Sequence, residues 1–289
     1  MAITTTLKAA AEAVASSLGR LIDTVVDAAV DSKTFTISRV LDVVPDEEAL
    51  RDRFLYNPTT PQEWRRINAV SGPNVVCVQD FTNPPVDDAA VQIYSILNPS
   101  EWRDAVNIAL PKLYFEDRVS IPLVANTNLY TPTSADWLQS EGQILRYYFR
   151  DITSGATNIE EVSVPAVRPI EEDNALSFYL LSTLADITNV SLVVVAKHPF
   201  DKLTSDAGTT KCPYDLLIGQ SKIEALKLIW NRLGSARAKQ LFGMHLVTAE
   251  RELNQAKARW LPMATGEELR MEEAWLGVDT AGIPTVWSW

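Results

Sequence analysis

Asn98-Pro99-Ser100-Glu101-Trp102-Arg103-Asp104-Ala105-Val106-Asn107-Ile108-Ala109-Leu110 reads as the opening of a helix set between two strand-rich stretches. Asn98 can accept from the first free backbone amides, Pro99 suits the first helical position, and Glu101 can reach back to close a capping box. Trp102, Val106, Ala109 and Leu113 then fall on one face. Pro111 removes a backbone donor and is expected to kink or loosen the end. This connecting helix is assigned residues 98–117.

Upstream, Leu7, Ala11, Val14, Leu18, Leu21, Val25 and Ala28 recur at alternating four- and three-residue steps. That spacing predicts a helix running to about Ala29, within an N-terminal segment 1–33, with a heptad seam. Leu7, Ala11, Val14, Leu18, Leu21 and Val25 can pack on the chain's own helices or form a seam between subunits. From Thr34 to Val44 β-branched and apolar residues alternate with polar ones, as in a half-buried strand. Further strands are expected at Trp64–Val70, Val75–Gln79 and Val91–Ile96. Asn57-Pro58, Ser71-Gly72-Pro73-Asn74 and Asn83-Pro84-Pro85 punctuate them as turns. Residues 34–97 are therefore expected to form a small barrel or sandwich.

Downstream, strands at Val119–Val124, Gln143–Phe149, Ala175–Leu181 and Val190–Ala196 make residues 118–205 a larger β unit. The continuous apolar run Ser191-Leu-Val-Val-Val-Ala196 predicts a strand covered on both faces. From Pro213 the period is helical again: Leu216, Ile223, Leu226, Trp230 and Leu233 share a face, which Ile218, Ala225 and Ile229 broaden. Gly234-Ser235 marks a turn, and Ala238, Phe242, His245, Ala249, Leu253, Ala256 and Trp260 line a second helix that Pro262 stops. Residues 206–262 thus read as an αα-hairpin, and 263–289 as an aromatic tail. The expected architecture is α+β: a helical bundle of N-terminal helix, middle helix and C-terminal hairpin, carrying two inserted antiparallel β barrel or sandwich-like units.

Charge and motifs narrow the function. The 289-residue chain has 26 Lys and Arg against 37 Asp and Glu, a formal charge of −11, with no run of basic residues. A protein that reads DNA sequence would need a basic footprint. A carboxylate wall instead repels phosphate and lets a duplex slide past. Cys77 and Cys212 are expected as free thiols of a protein made in a reducing cytoplasm. No signal peptide is legible, and the longest apolar run, Leu192–Ala196, is far short of the ~20 residues a membrane helix needs.

No phosphate-binding glycine loop, nucleophile elbow or metal-ligand spacing occurs. His198 and His245 are expected to be structural. Glu160-Glu161, Glu171-Glu172 and Glu272-Glu273 read as solvated charge, since neighbours along a strand point to opposite faces. Trp102, Trp230 and Trp260 belong to helical apolar faces, which leaves Trp137 and the tail tryptophans for external contact. No catalytic residue, cofactor or metal is expected, and the chain does not read as an enzyme.

The order of parts resembles that of neck and head-to-tail connector (adaptor) proteins of tailed bacteriophages. The resemblance rests on Trp64-Arg-Arg-Ile-Asn-Ala-Val-Ser-Gly-Pro-Asn-Val-Val-Cys-Val78 followed by Asn98–Leu110, on Asp117-Arg-Val-Ser-Ile-Pro-Leu-Val-Ala-Asn-Thr-Asn-Leu-Tyr-Thr-Pro132, and on the helical pair Ala225–Trp260. It implies a virion protein of the neck, made in the host cytoplasm and assembled as a homo-oligomeric ring, often a dodecamer. Its partners would be the portal protein and the next neck or tail protein, and double-stranded DNA would pass through it non-specifically during ejection, with no membrane involved. Trp275, Ile283, Val286, Trp287 and Trp289 are the candidate docking residues, because tryptophan concentrates binding energy in small contacts. The alternative is a receptor- or carbohydrate-binding tail component, to which the β content and Trp137 would belong.

Overall fold

The computed structural model describes residues 4–38, 52–59, 61–132, 135–151, 167–172, 175–180 and 190–260. Its elements in chain order begin with β1 (Thr5–Thr6), α1 (Leu7–Ser17), β2 (Leu21–Val25), β3 (Ala28–Ala29), β4 (Thr34–Thr36), β5 (Phe54–Asn57), β6 (Glu63–Ser71), β7 (Asn74–Cys77), β8 (Ala90–Tyr94) and α2 (Pro99–Ala109). They continue with β9 (Tyr114–Pro122), β10 (Leu129–Tyr130), β11 (Ile144–Asp151), β12 (Val167–Glu172), β13 (Ala175–Leu180), β14 (Val190–Pro199), β15 (Thr209–Thr210), α3 (Tyr214–Leu233) and α4 (Ser235–Trp260). The class is α+β, and every strand pairing among the described residues is antiparallel.

The chain forms two compact units, one built from Met1–Leu113 with Asp201–Ala258, the other from Tyr114–Phe200 with the end of α4 from Arg259. The division departs from the expected one. The strands assigned to a separate small β unit at 34–97 share a unit with the helices, and the larger β unit spans 114–200 rather than 118–205.

In the first unit, α1, α2 and α3 pack on one another. Thr6 caps α1 through the Ala9 amide, and the Asn98–Glu101 capping box opens α2 as its sequence requires. Pro111 falls in a 3-10 turn, Leu110–Lys112, so the middle helix is over before residue 117 and β9 follows at Tyr114.

The N-terminal helix also stops early, at Ser17 rather than near Ala29. Gly19 takes a left-handed φ of +64°, and the Gly19 and Arg20 amides turn back to the Ser16 and Ala15 carbonyls. Such a close is far easier for glycine than for a residue with a Cβ. The β-branched residues beyond it, Ile22, Thr24 and Val25, join a ladder with β8.

The seven-stranded sheet has the order β2-β8-β5-β6-β7-β4-β3. It is not the closed barrel considered from sequence. β2 and β3 stand at opposite ends of that order although only Val26-Asp27 separate them, so the sheet must curl around its core of Phe35, Leu55, Ile67, Val75 and Ile93. Closure fails at the connector, where the Val26 amide donates to Ala89 while that of Asp27 donates to Thr36. Beyond Ser38 the expected strand to Val44 lies outside the described residues.

Glu224 on α3 is buried, yet it accepts from Lys112 Nζ at 2.7 Å, Lys227 Nζ at 3.1 Å and Gln220 Nε2 at 2.9 Å. Burial pushes its carboxyl up, and the two lysine contacts outweigh that and hold it below its ordinary value of 4.5. A depressed folded-state value means stability present above the unfolded value and lost as pH falls through the folded one. Glu224→Gln is therefore expected to lower stability near neutral pH by about 1 kcal/mol, since both lysines are half-exposed. Urea titrations of the two proteins should converge as pH falls below the ordinary carboxylate range; a difference that stays constant into acid would refute the assignment.

In the second unit two three-stranded sheets, β11-β14-β9 and β10-β13-β12, share a core that includes Ile121, Phe178, Leu192 and Val194. β14 is the central strand. Leu192, Val194 and Ala196 face that core while Val193 and Val195 pack with Tyr148 on the other side. A strand covered on both faces explains the unbroken apolar run.

Candidate functional site

Four parts of the first unit bring five arginines to one pocket of about 660 Å³: Arg20 after α1, Arg53 before β5, Arg66 on β6, and Arg232 and Arg237 on either side of the α3–α4 turn. In a chain of charge −11 that concentration of cations is notable for its location, since no two of them are paired in a basic run.

Two of the five are neutralised. Arg66 meets Asp52, and Arg232 forks onto Glu101, with Nη1 at 3.0 Å from Oε2, while also donating to the Ile96 carbonyl. Among the described residues no carboxylate pairs with Arg20, Arg53 or Arg237. Arg20 lies over the Phe242 ring, 4.8 Å from its centroid, and its Nε is buried with no hydrogen-bond partner there. Burial lowers the pKa of Arg20, and burial followed by the Arg20 charge lowers that of Arg53. Both directions describe cations held in a partly desolvated place with too little negative charge around them.

The backbone is strained at the same spot. Asp52 and Ile96 both line the pocket, with φ of +68° and +70°. A β-branched isoleucine seldom adopts that conformation, and such outliers persist where surrounding contacts over-determine them, commonly at binding sites. Phe54, Ile96 and Leu233 supply apolar wall. Chemically the pocket offers guanidinium forks, which match planar or tetrahedral oxyanions, beside surface that rewards an apolar group.

α4 extends this surface. Ala238, Phe242, Ala249, Leu253 and Ala256 are buried, whereas Leu241, Met244 and Val247 are exposed, Met244 at 79%. Arg237, Leu241 and Met244 follow steps of four and three, so the apolar stripe begins at the pocket's own arginine.

Of the residues singled out from sequence, those that are described lie elsewhere. Leu7, Ala11, Val14 and Leu18 are buried in the first unit. Leu21 and Val25 are half-buried on β2, so the six do not form one helical face. Trp275, Ile283, Val286, Trp287 and Trp289 lie outside the described residues. Trp102 is fully buried, and Trp230 and Trp260 are half-buried.

His198 stacks on Trp137 at 4.2 Å between centroids and on Phe115 at 4.7 Å, with Nδ1 at 2.9 Å from Asp117 Oδ2. Trp137 therefore has a ring face already occupied. His245 is exposed beside Phe242 rather than on the buried side of its helix. Cys77 and Cys212 are free and buried, and burial pushes both thiols up to about 12. Among the described residues no group of three or more His, Cys, Asp or Glu could hold a metal ion, and no helix is long and apolar enough to cross a membrane.

Comparison with protein-family models, with curated proteins and with solved structures gives no match.

Proposed function

We propose that the chain is a structural ring subunit of a tailed-phage neck, joining the portal to the tail and bordering the path of the DNA. The observation that carries the reading is the exposed stripe Leu241, Met244 and Val247 on α4, an apolar helix face left uncovered by the described residues. Isolated exposed apolar side chains are ordinary, but three at helical spacing form a contiguous surface suited to a neighbour. The four helices are read as one bundle whose last member presents this stripe around the ring. The order of parts and the three stretches that resemble connector proteins supply the virion context.

The test is the mass of the purified protein in solution, joined to electron micrographs of the same sample. Closed rings are expected for the native chain. Met244→Glu puts a charge on the stripe and should shift the protein to monomer without changing its circular dichroism. A native chain that stays monomeric at every concentration would sink the proposal.

A further inference from the structure

We propose that the arginine pocket and the α4 stripe form one docking groove for an acidic, apolar peptide, and that its occupant is the segment Glu267–Asp279 of a second copy of this chain. This rests on the reading of the chain as a self-associating ring subunit. The groove is polar at one end and apolar at the other. Arg20, Arg53 and Arg237 present cations without a carboxylate partner among the described residues, and Leu241, Met244 and Val247 continue from Arg237 along the same helix. Among the described residues, Asp52 and Glu101 answer two of the pocket's five arginines and leave three positive charges.

A bare phosphate would answer the charge and leave the stripe exposed. A peptide that alternates carboxylates with large apolar side chains answers both. The segment Glu267-Glu268-Leu269-Arg270-Met271-Glu272-Glu273-Ala274-Trp275-Leu276-Gly277-Val278-Asp279 has that composition, with five carboxylates against one arginine and with Leu269, Met271, Trp275 and Leu276 between them. Carboxylates accept two parallel hydrogen bonds from a guanidinium fork, and Trp is among the side chains that most often dominate a docking energy. Six residues, 261–266, join Trp260 to this segment and span at most about 20 Å fully extended, and the chain to Asp279 at most about 60 Å.

A fluorescent peptide of residues 264–280, titrated onto the full-length protein at low salt and followed by anisotropy, tests the groove. Saturable binding is expected, weakened by added salt as charge pairing requires. Arg53→Gln with Arg237→Gln in one chain should weaken it by about tenfold or more, and Met244→Glu by a comparable factor. Circular dichroism and thermal melting check that each variant is folded.

In the full chain, Gln at positions 267, 268, 272 and 273 should reduce ring formation in parallel with the arginine variant. No binding, or binding indifferent to Arg53 and Arg237, would overturn the groove while rings, if present, kept the ring reading. A protein that binds the peptide through these arginines yet remains monomeric would overturn both the second-copy assignment and the ring. Duplex DNA that displaces the peptide and loses its own binding in the arginine variant would overturn the peptide assignment in favour of phosphate.

Discussion

Trp102→Ala is expected to lower the stability of the first unit by about 3–5 kcal/mol, the usual cost of emptying a large aromatic site in a packed core. Trp102 is completely buried on α2 and is one of the largest side chains with no exposure. Its indole Nε1 donates to the Leu97 carbonyl at 3.1 Å, across the capping residue that starts the same helix. Truncation therefore opens a cavity and strips a buried carbonyl of a partner, two separable penalties. α2 packs against both α1 and α3, so the loss should be felt by the whole helical layer rather than by one turn. Urea denaturation reads the change in midpoint, and a loss below about 1 kcal/mol would show that the surrounding side chains collapse into the space. Trp102→Phe keeps most of the volume and should recover a large part of the loss, leaving mainly the hydrogen-bond contribution.

The second large effect is expected at Gly219, where α3 meets α4. A Cβ placed there would lie 3.2 Å from Leu253 Cα and 3.3 Å from its Cβ. The first of these is backbone, so no rotamer change relieves it and the helices must part. Gly219→Ala sets a helix-propensity gain of roughly 1 kcal/mol against that crowding. Gly219→Val puts two further methyl groups on that Cβ and loses most of the propensity gain, so a net cost of about 1–3 kcal/mol is expected. Hydrogen exchange should localise the damage, with faster exchange in α4 than in α1 or α2. A valine variant as stable as the native protein, with α4 equally protected, would show that the two helices do not rely on close approach at this point.

What the amino-acid order could tell depended on how local each feature is. The start of α2 was readable because Asn98, Pro99 and Glu101 sit within four residues and each has one structural use there. The α3–α4 pair was readable because its apolar period continues over many turns and Gly234 interrupts it cleanly. The N-terminal stripe misled for an identifiable reason: Leu18, Leu21 and Val25 continue the helical spacing of Leu7, Ala11 and Val14, but Gly19 ends the helix and the spacing that follows serves a strand. Periodicity cannot separate those outcomes when a single glycine decides between them.

The arginine pocket was illegible for a different reason. Its five cations come from segments far apart in sequence, and each is an unremarkable surface arginine until the sheet and the helices place them together. The overall charge of −11 points the other way, since it makes a local surplus of positive charge improbable. β5, Phe54-Leu55-Tyr56-Asn57, carries little strand signal of its own because it is short and ends in a turn signal. The polar node below it is also non-local: Arg103 on α2 pairs with Asp206 at 2.7 Å and stacks over Tyr56.

The pairing of β9 with β14 has a consequence for how the chain could change over time. Tyr114, the first residue of the second unit, lies opposite Pro199, one step before Phe200, in an antiparallel ladder. Facing residues in such a ladder are about 5 Å apart, so the segment from Tyr114 to Phe200 begins and ends at one place. Anything that happens between those two positions, a lengthened hairpin, a duplicated strand or an exchanged sheet, leaves the separation of Leu113 and Asp201 as it was. The segment Tyr114–Phe200 is in that sense a replaceable insert whose two ends stay side by side whatever lies between them.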